Sequence, residues 1–275
     1  MPLYRRILIT GAAGRLGSQL RAGLAPLATT LRLADREPLG ERAAHEEHAI
    51  FDLADRDATM EGTKDCDAIV HFGGAPYERP WQEVLDSTIR GSYHIYEGAR
   101  KHGVKRIVFA SSVHAIGFHK VEAQIDANAP VRPDGLYGVS KTFVESLSRL
   151  YWDKFGIETA CLRIFSSMAQ PSDRRMLWSY LSFGDCVRLV EAALTAPRVG
   201  HTISFGMSNN KVKTVDNRLG QHLGYEPEDS SEPFRAEVEG KTAVPDPKAA
   251  SVRFLGGIFC EFGHPDDMPV SSKRT

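Results

Sequence analysis

Residues 6–17 read Arg6-Ile7-Leu8-Ile9-Thr10-Gly11-Ala12-Ala13-Gly14-Arg15-Leu16-Gly17. The apolar run predicts a buried strand, and the residues that follow the glycines suit a helix. Side chains at Gly11 and Gly14 would block the approach of a pyrophosphate to the backbone N–H groups and the helix dipole, and Gly17 allows close packing of helix on strand. The stretch therefore predicts a dinucleotide site rather than an ordinary tight turn.

Length and composition limit the class of protein. The chain has 275 residues, of which 42% are hydrophobic, enough for one large α/β domain or two small ones. A formal charge of −1 without a basic cluster argues against a nucleic-acid partner. No segment has the roughly 18 apolar residues of a membrane span, and the N-terminal run is too short for a signal peptide. We therefore expect a soluble protein without a membrane partner.

The four cysteines are scattered and form no Cys-x-x-Cys pair. This pattern implies neither a disulfide framework nor a zinc site. We therefore expect no metal, and a cytoplasmic location.

Apolar runs and helical patterns alternate along the chain, which predicts parallel βαβ units and a doubly wound parallel sheet, the Rossmann fold. We expect a dinucleotide-binding core over residues 1–183 and a small substrate-binding portion over residues 184–275, with a loose tail from Gly263. Later strands are predicted at residues 31–34, 49–51, 68–71, 106–111, 159–164 and 201–205. Helices are predicted at residues 15–24, 81–100, 137–155 and 186–196.

Asp35, at the end of the second predicted strand, favours NAD as the cofactor. A carboxylate at this place accepts hydrogen bonds from both ribose hydroxyls and repels the 2′-phosphate of NADP. Arg36 is the complication, because an arginine there either holds such a phosphate or is a solvated surface charge.

Two further strand ends extend the predicted dinucleotide site. The carboxylate of Asp52 either accepts a hydrogen bond from the adenine amine or caps a helix that begins near residue 55. A glycine pair after the fourth strand lets a cofactor lie against the backbone. Ligands of such sheets bind at the carboxyl ends of the strands. We assign to cofactor binding, besides the three glycines and Asp35, the residues Arg15, Leu16, Arg36, Asp52, Leu53, Phe72, Gly73 and Gly74, together with Tyr137 and Lys141.

Tyr137 and Lys141 are four residues apart at the start of a predicted helix, so their side chains share one face. An ammonium group beside a phenol favours the phenolate and lowers its pKa from about 10 toward working pH. Ser112, at the end of the fifth strand, is placed to bind the same substrate oxygen. Tyr-x-x-x-Lys is common by chance on helices, but its order after the other strand-end motifs predicts a catalytic group that removes a hydroxyl proton as hydride leaves the carbon.

These motifs resemble the extended, epimerase-like branch of the short-chain dehydrogenase/reductase superfamily, over nearly the whole chain. Three further segments resemble the uronate dehydrogenase family: residues 111–117 (SSVHAIG), 132–141 (RPDGLYGVSK) and 175–177 (RML). That family oxidises the anomeric carbon of a hexuronic acid to an aldarolactone with NAD. The resemblance implies a sugar-acid substrate, galacturonate or glucuronate.

The resemblance also implies individual roles. Tyr137 is the base, Lys141 holds the nicotinamide ribose and tunes Tyr137, and Ser112 holds the anomeric oxygen. Arg175 clamps the uronate carboxylate, which a guanidinium fork matches in bidentate fashion, with the neighbouring Arg174 as its rival. Further substrate contacts fall to Ser166 and His114.

Two positions depart from the uronate dehydrogenase pattern. Pro76 stands where that family has a serine, and Val113 where it has an asparagine. Both changes are expected to remove polar groups that reach the sugar, which leaves the identity of the substrate open. One alternative is therefore another dehydrogenase or epimerase of the same branch, acting on a different small sugar or carbonyl compound. Enzymes of this branch that act on nucleotide sugars need a larger C-terminal portion than this chain has.

A second alternative is a non-catalytic dinucleotide sensor, although such proteins typically lose the tyrosine–lysine pair. The resemblance further implies a homo-oligomer, a dimer built on the helices at residues 81–100 and 137–155. The aromatic residues on these helices serve either the core or an interface.

Overall fold

The computed structural model describes residues 2–267. The strands of the main sheet are β1 (Tyr4–Thr10), β2 (Ala28–Asp35), β3 (Glu46–Ile50), β4 (Ala68–His71), β5 (Arg106–Ser112), β6 (Glu158–Ile164) and, after the short β7 (Ser166–Ser167) and β8 (Tyr180–Leu181), β9 (His201–Gly206). They are parallel and lie in the order β3-β2-β1-β4-β5-β6-β9. The strand order reverses between β1 and β4, as in a doubly wound sheet. The predicted Rossmann fold is therefore confirmed.

Helices cover both faces of this sheet. They are α1 (Arg15–Gly23), α2 (Arg56–Gly62), α3 (Trp81–Val84), α4 (Gly91–His102), α5 (Leu136–Phe155), α6 (Met176–Ser179), α7 (Phe183–Thr195), α8 (Arg235–Lys241) and α9 (Ala250–Arg253). Successive residues of β1 alternate between two buried clusters, with Ile7 and Ile9 beside Leu20 of α1 and Leu8 beside Tyr96 of α4. The strands read as continuous apolar runs because both of their faces are buried.

The helix predicted at residues 81–100 is interrupted. Between α3 and α4 the chain forms a π-helical stretch, Leu85–Arg90. Within it the buried Thr88 hydroxyl accepts a hydrogen bond from Ala75 N, 3.0 Å away, in the loop after β4. A π-helical turn changes the direction of the side chains without ending the helix. Here it brings a hydroxyl to the edge of the predicted site.

The sheet continues beyond residue 183. β9 pairs with β6 from Thr159 to Ile164, and α7 packs its buried face into the same cluster as α1. The sheet-forming part therefore extends through Gly206. Part of the tail expected from Gly263 lies outside the described residues.

A segment near the end of the chain returns to the carboxyl edge of the sheet. We call residues 250–262 the C-terminal cover. Its backbone donates from Leu255 N to His119 O and from Gly256 N to Gly117 O, both at 2.9 Å. The cover thereby closes over the loop that follows β5. In residues 2–267 no helix has the length and apolar character to cross a membrane.

Candidate active site

The turn between β1 and α1 is built of backbone packed on backbone. Gly11 has φ +71°, and a Cβ there would lie 2.7 Å from the carbonyl carbon of Phe72. A Cβ on Gly17 would collide with the carbonyl oxygen of Gly11. In the described chain no side chain caps α1 at Gly14, so the N–H groups of its first turn suit an anion.

Asp35 braces this turn as well as lining the cavity beside it. Its carboxylate accepts hydrogen bonds from Ala13 N at 2.9 Å and from Glu37 N at 3.1 Å. Each carboxylate oxygen has a further lone pair for a ribose hydroxyl. The neighbouring Arg36 is well exposed and has Glu37 at 3.6 Å. The bracing role was not predicted from the sequence.

Asp52 does not cap a helix. Its carboxylate accepts from Ala54 N at 2.9 Å in a local turn. The cap of α2 is Asp55, which accepts from Ala58 N at 3.1 Å. The helix-cap alternative for Asp52 is therefore wrong, since α2 begins one turn later, and Asp52 lines the cavity.

A buried histidine connects the first and fourth strand ends. His71 Nδ1 lies 2.7 Å from Thr10 Oγ1, and its Nε2 lies 2.9 Å from Ser92 Oγ. The Thr10 hydroxyl also accepts from Gly73 N at 3.1 Å. Burial lowers the pKa of His71 to about 3, so the ring is neutral. This support for the glycine pair was missed, because the apolar neighbours of His71 indicated only a strand.

One cavity of about 1260 Å³ follows the carboxyl ends of the strands. Every residue assigned from the sequence to cofactor, substrate or catalysis lines it. Single small-ligand pockets are roughly 300–1,000 Å³, so this cavity has room for a dinucleotide and a small substrate together. The glycine turn and the uncapped helix fit the cofactor's pyrophosphate, and Asp35 fits its ribose.

The start of α5 is held by a residue from a distant loop. The carboxylate of Glu78 accepts from Leu136 N at 2.8 Å and from Tyr137 N at 2.9 Å. A carboxylate at a helix N-terminus satisfies free donors and complements the helix dipole. Glu78 thus fixes the backbone of Tyr137, and no local signal at residue 78 indicates it.

Lys141 is buried and Tyr137 is half-buried at the cavity wall. Lys141 Nζ lies 5.2 Å from the centre of the Tyr137 ring and donates to Ala110 O at 2.8 Å. Burial lowers the pKa of Lys141 to about 8, against the raising effect of Glu145. Burial also raises the pKa of Tyr137 to about 12, against the lowering effect of Ser112. The expected lowering of the Tyr137 pKa is therefore wrong for this structure, since burial penalises the phenolate more than its neighbours favour it.

A buried ion pair supports this group from behind. Glu145, one turn after Lys141 on α5, accepts from Arg163 Nε at 2.9 Å and Nη2 at 2.8 Å. The Ser111 hydroxyl donates to the same carboxylate at 2.6 Å. These contacts hold α5 against β5 and β6. They thereby fix the position of Tyr137 and Lys141 relative to the ends of these strands.

Arg175 has the properties expected of a carboxylate clamp. Its Nη1 donates to Ser166 Oγ at 2.6 Å, its Nη2 donates to Leu255 O, and its Nε is buried without a partner in the described chain. Burial lowers its pKa. Arg174, the rival, donates to the carbonyls of Glu239 and Thr242. The two residues differ, because Nε and Nη2 of Arg174 donate to main-chain carbonyls, whereas the buried Nε of Arg175 has no partner in the described chain.

His114 lies between Tyr137 and the C-terminal cover. Its ring stacks on Phe259 with the centroids 3.8 Å apart, and it meets Tyr137 edge-on at 5.6 Å. Its Nδ1 lies 2.8 Å from Asp134 Oδ2. Phe259 and Asp134 were missed, because their contacts with His114 arise only in the folded chain. Within residues 2–267 no cluster of His, Cys, Asp and Glu is placed to hold a metal.

The two departures from the family pattern occupy different surroundings. Pro76 lines the cavity. Val113 is buried in an apolar cluster with Phe165, Phe205 and Leu255; it does not itself line the cavity, whereas Phe165 does. The expectation that Val113 removes a polar group from the sugar site stays a prediction, since the cluster that contains Val113 adjoins the cavity.

Residues 7–182 match the model of the NAD dependent epimerase/dehydratase family, and the chain belongs to that family. The expected family and its NAD dependence are thereby confirmed.

Individual uronate dehydrogenases are similar to this chain over almost its whole length. Uronate dehydrogenase of Pseudomonas syringae pv. tomato is 48% identical over 94% of this chain and 94% of its own. Uronate dehydrogenase of Pseudomonas putida is 49% identical over 94% of this chain and 97% of its own. The crystal structure of a variant of the Agrobacterium tumefaciens uronate dehydrogenase, complexed with NAD, matches with a TM-score of 0.91 and 46% identity, covering 94% of this chain and 98% of that one. The predicted resemblance to uronate dehydrogenases is confirmed.

Proposed function

We propose that this chain oxidises the anomeric carbon of a hexuronic acid, galacturonate or glucuronate, to the aldarolactone with NAD. The observation that carries the proposal is the unpartnered, buried Nε of Arg175 in the same cavity as Tyr137 and Lys141. A buried guanidinium with a free donor suits a carboxylate. The names of the relatives support the same substrate class.

Tyr137 and Ser112 hold the anomeric hydroxyl in this proposal, and the phenolate form of Tyr137, which burial makes the minor form near neutral pH, accepts the hydroxyl proton. Lys141 stabilises the phenolate, because its ammonium, with a pKa of about 8, is charged at neutral pH. The carbonyl of Ala110 keeps Lys141 in place. NAD, when bound, accepts the hydride from the same carbon.

The remaining site assignments are part of the proposal. Gly11, Gly14 and Gly17 hold the pyrophosphate with Arg15 and Leu16, and Asp35 holds the adenosine ribose, with Asp52 near the adenine. Arg175 and Ser166 hold the sugar carboxylate, and His114 contacts a hydroxyl. The support is that all of them line one cavity at the strand ends.

The test is formation of NADH on incubation with NAD and galacturonate or glucuronate. Galactose and glucose are matched controls, because they lack the carboxylate that Arg175 is proposed to bind. We expect turnover of at least one uronate, with kcat/KM at least about 10-fold above its neutral sugar. Formation of NADH with neutral sugars alone would favour the second candidate, a dehydrogenase of another small sugar. The apolar Pro76 in the cavity wall is the observation that supports this candidate. NAD binding without turnover would favour the sensor.

We also propose a homodimer built on α4 and α5. Tyr93 of α4 is 43% exposed and Phe143 of α5 is 38% exposed, and Val139 and Leu150 extend the apolar face. Large apolar side chains on adjacent helices suit an isologous interface. Light scattering after size exclusion is expected to give twice the chain mass, and Phe143→Glu is expected to give a monomer. A monomeric wild type would reject the dimer.

The division of the chain and its location are proposals of the same kind. We place the dinucleotide-binding core through Gly206, the end of β9, and the substrate-covering portion after it. Free thiols at Cys66, Cys161, Cys186 and Cys260 support the cytoplasm as a reducing compartment.

A further inference from the structure

The substrate side of the cavity contains a buried acid that the proposed reaction does not use. Asp134, two residues before α5, has a side chain with 0% exposure. Its Oδ2 lies 2.8 Å from His114 Nδ1, and its Oδ1 has no partner in the described chain. His114 lines the cavity, whereas Asp134 is not part of the described lining. The carboxylate therefore contacts the cavity through the imidazole.

The carboxylate decides which nitrogen of His114 carries the proton. A carboxylate accepts hydrogen bonds, so a neutral His114 has its hydrogen on Nδ1 and an acceptor lone pair on Nε2. Nε2 has no partner among residues 2–267 and is not among their buried unpartnered atoms. Stacking on Phe259 at 3.8 Å restricts rotation of the ring. The result is one fixed acceptor at the cavity wall.

Backbone packs tightly against the carboxylate of Asp134. A Cβ on either Gly117 or Gly256 would collide with Asp134 Oδ2. These two glycines come from the loop after β5 and from the C-terminal cover, which are joined by a hydrogen bond at 2.9 Å. The carboxylate thus lies where the cover meets the loop.

His119 offers the opposite arrangement in the same loop. Its Nε2 lies 2.7 Å from the carbonyl oxygen of Pro130. A carbonyl only accepts, so the hydrogen of neutral His119 is on Nε2. His119 is therefore an internal reference for the tautomer of His114.

We propose that Asp134 is a positioning residue for substrate selection: it holds His114 as a hydrogen-bond acceptor at Nε2, which selects substrates that present a hydroxyl donor there. The inference rests on the proposed function for its substrate class, a polyhydroxylated sugar acid. A site built to bond a hydroxyl discriminates strongly against an analogue that lacks it. Asp134 thereby contributes to specificity without touching the sugar.

The first experiment reads the tautomers directly. Long-range proton–nitrogen correlation spectra of the imidazole rings are recorded at pH about 8, where ordinary histidines are neutral. We expect Nδ1–H for His114 in the wild type, a mixture in Asp134→Asn, and a larger Nε2–H fraction in Asp134→Ala. His119 is expected to remain Nε2–H throughout. Asp126→Ala removes a carboxylate that accepts from Asn128 N in the same loop, and serves as the control. An unchanged Nδ1–H signal in Asp134→Ala would overturn the proposal.

The second experiment measures selection. For the preferred uronate we expect Asp134→Ala to lower kcat/KM by about 10- to 100-fold, mainly through KM. In a panel of monodeoxy uronates, the analogue without the hydroxyl that meets His114 is expected to show little further loss. In a His114→Phe background, Asp134→Asn is expected to add no loss of its own. Equal losses for every analogue, or additive losses in the double variant, would contradict a role through His114.

The two proposals fail in different ways. A wild type that turns over no uronate rejects the proposed function, while the nitrogen spectra still decide the tautomer of His114. A wild type that turns over uronate with unchanged kinetics in Asp134→Ala rejects the inference alone. Thermal unfolding of each variant separates a loss of selection from a loss of fold.

Discussion

The cofactor half and the substrate half of the cavity are built by different means. In the cofactor half, Gly11 and Gly17 let backbone lie against backbone within one short turn. In the substrate half, His114 stacks on Phe259 and Arg175 donates to the carbonyl of Leu255, so side chains from distant segments form the wall. A site formed by closely packed backbone has little room for an added side-chain atom. A site formed by side chains can lose one functional group by substitution and keep its shape. The two halves should therefore respond separately to substitution.

The largest separation is expected from Tyr137→Phe. The substitution removes the phenolic oxygen and keeps the ring, so the proton has no acceptor in place. We expect kcat to fall by about 10²- to 10⁴-fold, with NAD affinity little changed. Tyr93→Phe, on the proposed dimer face of α4, is the control: it also removes one phenolic oxygen but keeps the apolar ring, so it should leave both unchanged. Calorimetric titration with NAD and initial rates provide the measurements. Full activity in Tyr137→Phe would remove its role as the base.

The reverse separation is expected from Gly17→Ala. The added Cβ collides with the Gly11 carbonyl oxygen, so the turn has to move. We expect a loss of about 1–3 kcal/mol in the free energy of unfolding and at least about a 10-fold loss of NAD affinity. Gly240→Ala, in α8 with open space around it, should instead stabilise by about 0.5–1 kcal/mol. Unfolding in urea measures both. Normal NAD binding in Gly17→Ala would show that the turn does not hold the cofactor.

Local patterns account for what the sequence predicted. The glycine spacing, the strand ends and the Tyr137–Lys141 spacing are contained in short windows, and the sheet follows from alternating apolar segments. Glu78, Asp134 and Phe259 were not predicted, because each acts on a residue far away in the chain. The predicted direction of the Tyr137 pKa was wrong for a related reason, since burial is a property of the whole fold.

Arg175→Met sharpens the comparison within the substrate half. The change keeps a long side chain and removes the charged donors, so we expect KM for the uronate to rise by roughly 10- to 100-fold with a smaller change in kcat. NAD affinity should not change. Arg174→Met is the matched control: it frees the carbonyls of Glu239 and Thr242, so it should lower the melting temperature and leave KM unchanged. If Arg174→Met raises KM more than Arg175→Met does, Arg174 rather than Arg175 binds the carboxylate.

The smallest expected effect concerns pH and His71. Its pKa is about 3 in the fold and about 6.5 in the unfolded chain. Between these values the unfolded chain binds the proton, so stability falls as pH falls below about 6.5, by at most about 1.4 kcal/mol per pH unit. Denaturation at pH about 7 and 5 should show a loss of about 2 kcal/mol in the wild type and a smaller loss in His71→Gln.

His264→Gln is the control for this loss, because His264 is exposed; it should follow the wild type. His71 is also a side chain on which the backbone-built half depends, through Thr10 and Gly73 N. NAD affinity should therefore weaken in His71→Gln already at pH about 7, where an ordinary histidine is largely neutral. If NAD affinity in His71→Gln equals that of the wild type, the glycine pair holds its shape without side-chain support, and the two halves are more independent than the contacts of His71 indicate.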